Sequence, residues 1–210
     1  MLNSEMGFAG DLSAKLLKAS PQTKWKIKNA LRPSFMIGWL NKYLAKGFTN
    51  LTGIPTIVSE LAIKVRRANG IWEDYGTVCY RVVTDVGVAF LVDDWDANGQ
   101  DISTMNFHGC GTGTTAEAAG DTALVTESTT ILNPNSVRAT GTRSQPSANI
   151  YRSVGTLTFD GAGAITEHGL FSDVDTGEGV LWDRSVFSAI NVASSDSIQF
   201  THSTTVSSGG

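Results

Sequence analysis

An all-β body, a β-sandwich or jelly roll, behind a partly helical, extended N-terminal arm is the fold class predicted by this 210-residue sequence. Three observations predict it. Near residue 54 the text passes from helical spacing to short β-type runs of Val, Thr, Ser and Gly broken by turn residues. About ten such runs follow with few helical stretches between them, which excludes a wound α/β fold and favours two packed sheets. Charge divides at nearly the same place. Residues 1–67 carry eleven of the sixteen Lys and Arg but only Glu5, Asp11 and Glu60 among the acids, a net +8 against −12 for the remainder, although the whole chain is only −4.

The arm is read as residues 1–53 and the body as 54–210. Ser20-Pro21 offers an N-cap with proline in the first turn, opening a helix that runs through Leu31 and is expected to end at Pro33. Ser34 can cap a second helix. In it Phe35, Trp39 and Tyr43 form one row and Met36, Leu40 and Leu44 the adjoining row, with Gly47 as the expected stop. Strands are expected near 55–66, 71–84, 86–94, 101–107, 122–132, 136–143, 149–159, 163–171, 179–188 and 196–206. Asn98-Gly99 is the favoured pair for a tight hairpin, and Asp160-Gly161 and the glycines around Thr176 supply further turns.

A chain of this size can hide roughly 70% of its unfolded surface, so disulfides are not required. Cys79 and Cys110 are expected to be buried free thiols. The first twenty residues contain Glu5 and Asp11 and no continuous apolar stretch, so no secretory signal is expected. The longest apolar run, Val86 to Val92, is broken by Gly87 and is far short of the ~20 residues that span a bilayer.

Constellations that carry chemistry are weak throughout. Asp94, Asp96, Asn98 and Gly99 match the opening of a calcium loop, but Met105 stands where the closing Glu belongs. His108 and Cys110 can point to one side of a strand towards zinc, yet two ligands do not make a site. Glu167 and His168 are strand neighbours and face opposite ways, so they are not expected to share an acid–base pocket. The run from Gly109 to Thr115 lacks the lysine of a phosphate loop, and its glycines are read as serving a tight backbone path. No nucleophile elbow or triad is legible. The expectation is a protein that is not an enzyme, with no cofactor and no metal.

The segment from Phe107 to Glu127 (FHGCGTGTTAEAAGDTALVTE), with Ala164–Phe171 (AITEHGLF) and Leu181–Ser188 (LWDRSVFS), resembles a family of tailed-bacteriophage virion structural proteins. Trp72–Gly76 and Tyr80–Val83 extend the similarity over roughly residues 71–210, leaving the arm outside it. Resemblance to head-associated members implies a capsid cement or decoration protein, a β-sandwich on the capsid exterior that is often trimeric and is made in the host cytoplasm. Resemblance to tail-associated members implies a fibre or tip component, or an adhesin for host-surface glycan, for which Trp72, Trp95, Trp182, Tyr75, Tyr80 and Tyr151 offer stacking rings. The arm favours the cement. Its expected contact residues are Lys15, Lys18, Lys24, Trp25, Lys26, Lys28, Arg32, Phe35, Trp39, Leu40 and Tyr43, and its expected partners are the major capsid protein and neighbouring copies, with no nucleic acid and no membrane. The arm is expected to gain order on its partner, so that a chain lacking residues 1–50 keeps a folded body.

Overall fold

The computed structural model describes residues 19–208 except 53, 82, 97 and 98, and at 34, 46, 48–50 and 81 its backbone alone. Two antiparallel sheets pack face to face. The strands are β1 (Thr56–Arg66), β2 (Trp72–Arg81), β3 (Phe107–Gly111), β4 (Ala139–Thr140), β5 (Thr142–Ser147), β6 (Ile150–Thr158), β7 (Gly163–Phe171), β8 (Leu181–Val192) and β9 (Ser197–Ser207). The first sheet runs β2-β1-β9-β6-β5 and the second β4-β3-β7-β8. Alternation sets the inner face: Ser59, Leu61, Ile63 and Val65 of β1 point inward, with Leu157, Ile198 and Phe200 beside them. They meet Cys110, Ile165, Phe187, Ile190 and Val192 of the second sheet.

Among the described residues three helices join the sandwich: α1 (Pro21–Ala30), α2 (Pro33–Thr52) and α3 (Asp85–Trp95). Ser20 caps α1 as expected, its hydroxyl accepting from Thr23 N at 3.1 Å. Pro33 does not merely end α1; it opens α2, where its fixed φ and missing N–H cost nothing. Gly47 does not stop α2, which continues to Thr52. Tertiary contact overrides the weak local signal, because α2 lies on β2 and β1 with Gly38 against the Tyr80 carbonyl, where a Cβ would collide.

The strand expected at 86–94 is α3. Thr84 caps it, accepting from Gly87 N at 3.0 Å, and Val86 and Phe90, four apart, turn towards the body. The region 101–107 is a 3-10 turn over Ile102–Thr104 capped by Asp101, and β3 begins only at Phe107. Asn98 lies outside the described residues, and the described elements on either side of Gly99 are α3 and that turn, neither of them a strand. Residues 122–132 form no strand; their backbone pairs with the sheets in isolated bridges such as Gly111 to Glu127 and Leu132 to Phe159. The strand expected at 136–143 is divided: β4 belongs to the second sheet and β5 to the first. Gly141 lies between them, in a space where a Cβ would overlap Ser153 Oγ. Both Asp160-Gly161 and the positive-φ Gly177 and Gly179 lie in turns, as expected.

The open flank between β2 and β8, the edge strands of the two sheets, is closed by α1. Asn29 donates to Val78 O of β2 and accepts from Ser188 N of β8, both at 2.9 Å, and so satisfies one main-chain group on each edge. Trp25 donates to the Ser188 and Ala189 carbonyls at 2.9 Å and sets its ring edge-on to Tyr75 at 4.7 Å. Further along β8, Thr84 Oγ1 donates to Leu181 O at 2.6 Å and Glu117 accepts from Val186 N at 3.3 Å. An edge that would otherwise recruit another strand is thereby occupied along its length.

Candidate interaction surface

The chemistry-bearing side chains of the body are engaged in holding its loops. Glu167 on β7 is fully buried and faces outward from the second sheet, where Oε1 accepts from Gly113 N (2.9 Å) and Thr126 N (2.8 Å) and Oε2 from Val125 N (3.1 Å). Arg184 Nε donates to the same carboxylate at 2.9 Å, while Nη1 reaches Asp121 at 3.0 Å and Nη2 the Thr115 carbonyl at 3.1 Å. The long segment 112–128 is thus tied over β7 and β8, which is why both strands are buried on two faces. Gly113 sits where a Cβ would overlap Glu167 Oε1, and Gly109 where one would stand 2.7 Å from Glu127 Oε1. Close approach to carboxylates accounts for those glycines, in line with the tight-path reading.

A second lock pairs Arg138 with Glu127 through two hydrogen bonds at 2.7 and 3.0 Å. Arg138 also donates to the Asp173 and Glu178 carbonyls, and its guanidinium lies 3.5 Å from the Phe171 ring centre. Buried charges need such full pairing, since an unpaired one costs several kcal/mol.

His168 turns the other way, into the space between the sheets, as the strand alternation requires. His108 Nδ1 lies 3.0 Å from His168 Nε2, and His108 Nε2 lies 2.8 Å from Ser153 Oγ across the sandwich. His202 of β9 stands 4.0 Å from Asp183 Oδ1 of β8. Burial holds His108 and His202 down at about 3, and burial together with the neighbouring imidazoles holds His168 well below its ordinary value. All three are neutral at pH 7. Cys110 lies on the same inner face, and burial pushes its thiol up. Cys79 and Cys110 are buried and not joined in a disulfide, as the sequence suggested. Among the described residues no group of three or more His, Cys, Asp or Glu is arranged to hold a metal ion.

The residues expected to contact a partner divide into three sets. Lys15 and Lys18 lie outside the described residues. Trp25 and Phe35 turn inward, Trp25 onto β8 and Tyr75, and Phe35 onto Tyr80 at 5.6 Å. Lys24, Lys26 and Lys28 are exposed on α1, Arg32 is half-buried between the helices, and Trp39, Leu40 and Tyr43 are exposed on α2. The helices of the arm are therefore preformed on the body. Residues 21–52 do not await a partner to fold.

With Phe35, Gly38, Lys42 and Ala45 turned to the body, the outward half of α2 carries Met36, Ile37, Trp39, Leu40, Tyr43, Leu44 and Leu51. At 100° per residue these cover an arc of roughly 160°. The only charged residues from 35 to 52 are Lys42 and Lys46. Lys42 is bound to Glu60 at 2.5 Å and lies over the Tyr80 ring. Ile37 and Leu51 extend the two rows seen in the sequence; their place became visible only once the packed side of α2 was known. A second exposed stripe, Val88, Val92 and Trp95 on α3, was hidden by reading that segment as a strand. Of the candidate stacking rings, Trp72 and Trp95 are exposed while Trp182 and Tyr75 are buried.

No helix of the described residues is long and apolar enough to cross a membrane. No protein-family model, curated protein or solved structure matches the chain.

Proposed function

We propose that the chain is a non-enzymatic structural protein of a tailed-phage virion, a capsid cement that sits on the outside of the head and grips the major capsid protein through its basic N-terminal region. The observation that carries this reading is a basic helix, α1, riveted to an otherwise acidic body by Asn29 and Trp25, with Lys24, Lys26 and Lys28 exposed on it. Because α1 is preformed, docking it forfeits little conformational entropy. Its lysines favour an acidic surface and speed encounter with it. Repetition over a shell then multiplies a modest affinity per copy. The resemblance of residues 107–127, 164–171 and 181–188 to virion structural proteins supports the same setting. In this chain those segments supply the Glu167–Arg184 lock, which suits a mechanical part better than a catalyst.

The test is incorporation of the triple variant Lys24→Glu, Lys26→Glu, Lys28→Glu into particles during infection, scored by antibody labelling of intact virions. The expected result is dense labelling of heads by the wild-type chain and its loss in the variant. Wild-type label confined to the tail would overturn the cement reading. It would favour a fibre or tip component binding host glycan, the alternative to which the exposed rings of Trp72 and Trp95 lend support.

A further inference from the structure

We infer that α1 and α2 together form a docking face for an anionic phospholipid surface, on which α2 lies flat with its outward apolar half at the level where headgroups meet acyl chains. The inference goes beyond the cement reading, which leaves the apolar half of α2 without a partner. The expectation of no membrane rested on the lack of a spanning run, and a helix lying in the surface plane needs none.

Charge selects the occupant. Between Asp11 and Glu60 the chain has no acidic residue, so the face built from that stretch is positive on a body that is net negative. An anionic surface attracts such a face and repels the rest, which orients the molecule with α1 and α2 towards the lipid. On α1, Trp25 and Asn29 point to the sandwich, which at about 100° per residue places Ile27 and Leu31 on the opposite side. Lys24 and Lys28 fall to one side of that pair and Lys26 to the other, all three exposed, as are Ile27 at 38% and Leu31 at 70%. Lysines beside an apolar strip lay their stems along it and hold their ammonium groups among phosphates.

The apolar area comes from α2. Its outward arc of roughly 160° carries Met36, Ile37, Leu40 and Leu44, with Trp39 and Tyr43 along one flank, their rings 4.7 Å apart. Such rings, apolar over most of their surface and polar at one edge, settle at the headgroup level. Between Met36 and Gly47 the arc presents no polar group beyond the edges of those two rings. It therefore offers a protein partner nothing to fix a register, and fluid lipid needs no register. Binding of this kind scales with the apolar area buried plus the attraction of the basic residues to anionic lipid, and this face supplies both.

The experiment is sedimentation of the full-length chain with vesicles of phosphatidylcholine mixed with phosphatidylglycerol, beside vesicles of phosphatidylcholine alone. The mixed vesicles are expected to carry the chain down. Affinity should fall at least about tenfold on the neutral vesicles, since each lysine near an anionic surface contributes about fivefold. Leu40 is 48% exposed, so Leu40→Asp keeps the wild-type circular dichroism and thermal melt, yet it should stay in the supernatant. Brominated acyl chains in the mixed vesicles should quench tryptophan fluorescence, and Trp39→Phe should remove most of that quenching while the chain still sediments. Wild-type chain left in the supernatant overturns the inference. So does equal binding to both kinds of vesicle, a Leu40→Asp chain that still sediments, or quenching untouched by Trp39→Phe. An oligomeric wild type that ignores the vesicles likewise overturns it and gives the face to another copy. The cement reading is scored on particles and this inference on vesicles, so either fails without the other.

Discussion

Acid should unfold this sandwich from its interior, at a pH where carboxylates are still ionised. The perturbation is a fall from pH 7 to pH 5. His108, His168 and His202 are fully buried between the sheets, and His108 and His202 are held at about 3 by burial, with His168 well below the ordinary 6.5. In the unfolded chain each imidazole takes up a proton near pH 6.5; in the folded chain it does not. Lowered folded values mean that the stability is present above 6.5 and lost as pH falls from 6.5 towards 3. At pH 5 the gap of about 1.5 pH units costs about 2 kcal/mol per histidine, or about 6 kcal/mol for three, against a total stability of about 5–15 kcal/mol. Among the described residues the groups facing these rings are Ser153, the other imidazoles, and Asp183 at 4.0 Å from His202, a carboxylate that would shelter a proton. Urea unfolding followed by tryptophan fluorescence at half-unit steps from pH 7.5 to 4.5 measures the slope. The expected limit below pH 5.5 is close to three protons, and His202→Gln should lower it by one. A slope below one proton, or a loss under about 1 kcal/mol by pH 5, would show that the buried imidazoles do not govern acid stability.

The other locks have their own signatures. Glu167→Gln leaves the buried Arg184 with Asp121 as its remaining carboxylate partner and should cost about 3 kcal/mol, with proteolytic cleavage appearing between residues 112 and 128. Asn29→Ala strips a hydrogen bond from Val78 O and another from Ser188 N, and a thermal melt should show a loss of about 2–3 kcal/mol. Removal of residues 1–50, first expected to leave a sound body, should instead expose Tyr75 and the two edge strands and yield aggregates, measured as the soluble fraction on expression.

Much of the fold was legible because local chemistry and tertiary packing agree in it. The alternation of Leu61, Ile63 and Val65 gives β1 its inner face, and Ser20-Pro21 opens α1 with no help from the rest of the chain. Where the two disagree, the sequence misleads. Val86-Gly87-Val88 looks like strand text, but the Thr84 cap and the four-residue spacing of Val86 and Phe90 suit a helix once β8 offers a surface to lie on. That capping threonine was the signal that could have found α3. Residues 122–132 have strand composition, yet their backbone amides meet Glu167, forty residues away, before they can meet another strand.

Readable along the chain were the mostly β body, two of its turns at Asp160-Gly161 and around Thr176, the two helices before it, the division into basic and acidic parts, and the opposite facings of Glu167 and His168. These follow from period, composition and charge, which need no partner in space. That Trp25 and Asn29 close the flank between β2 and β8 emerges from the folded chain alone, because their hydrogen-bond partners on β8 lie about 160 residues further along it. The fold likewise decided which half of α2 faces water. An amphipathic helix displays its rows in sequence, but burial depends on which side the sheet takes first, and here the sheet took Phe35, Gly38 and Lys42 and left the apolar rows outside.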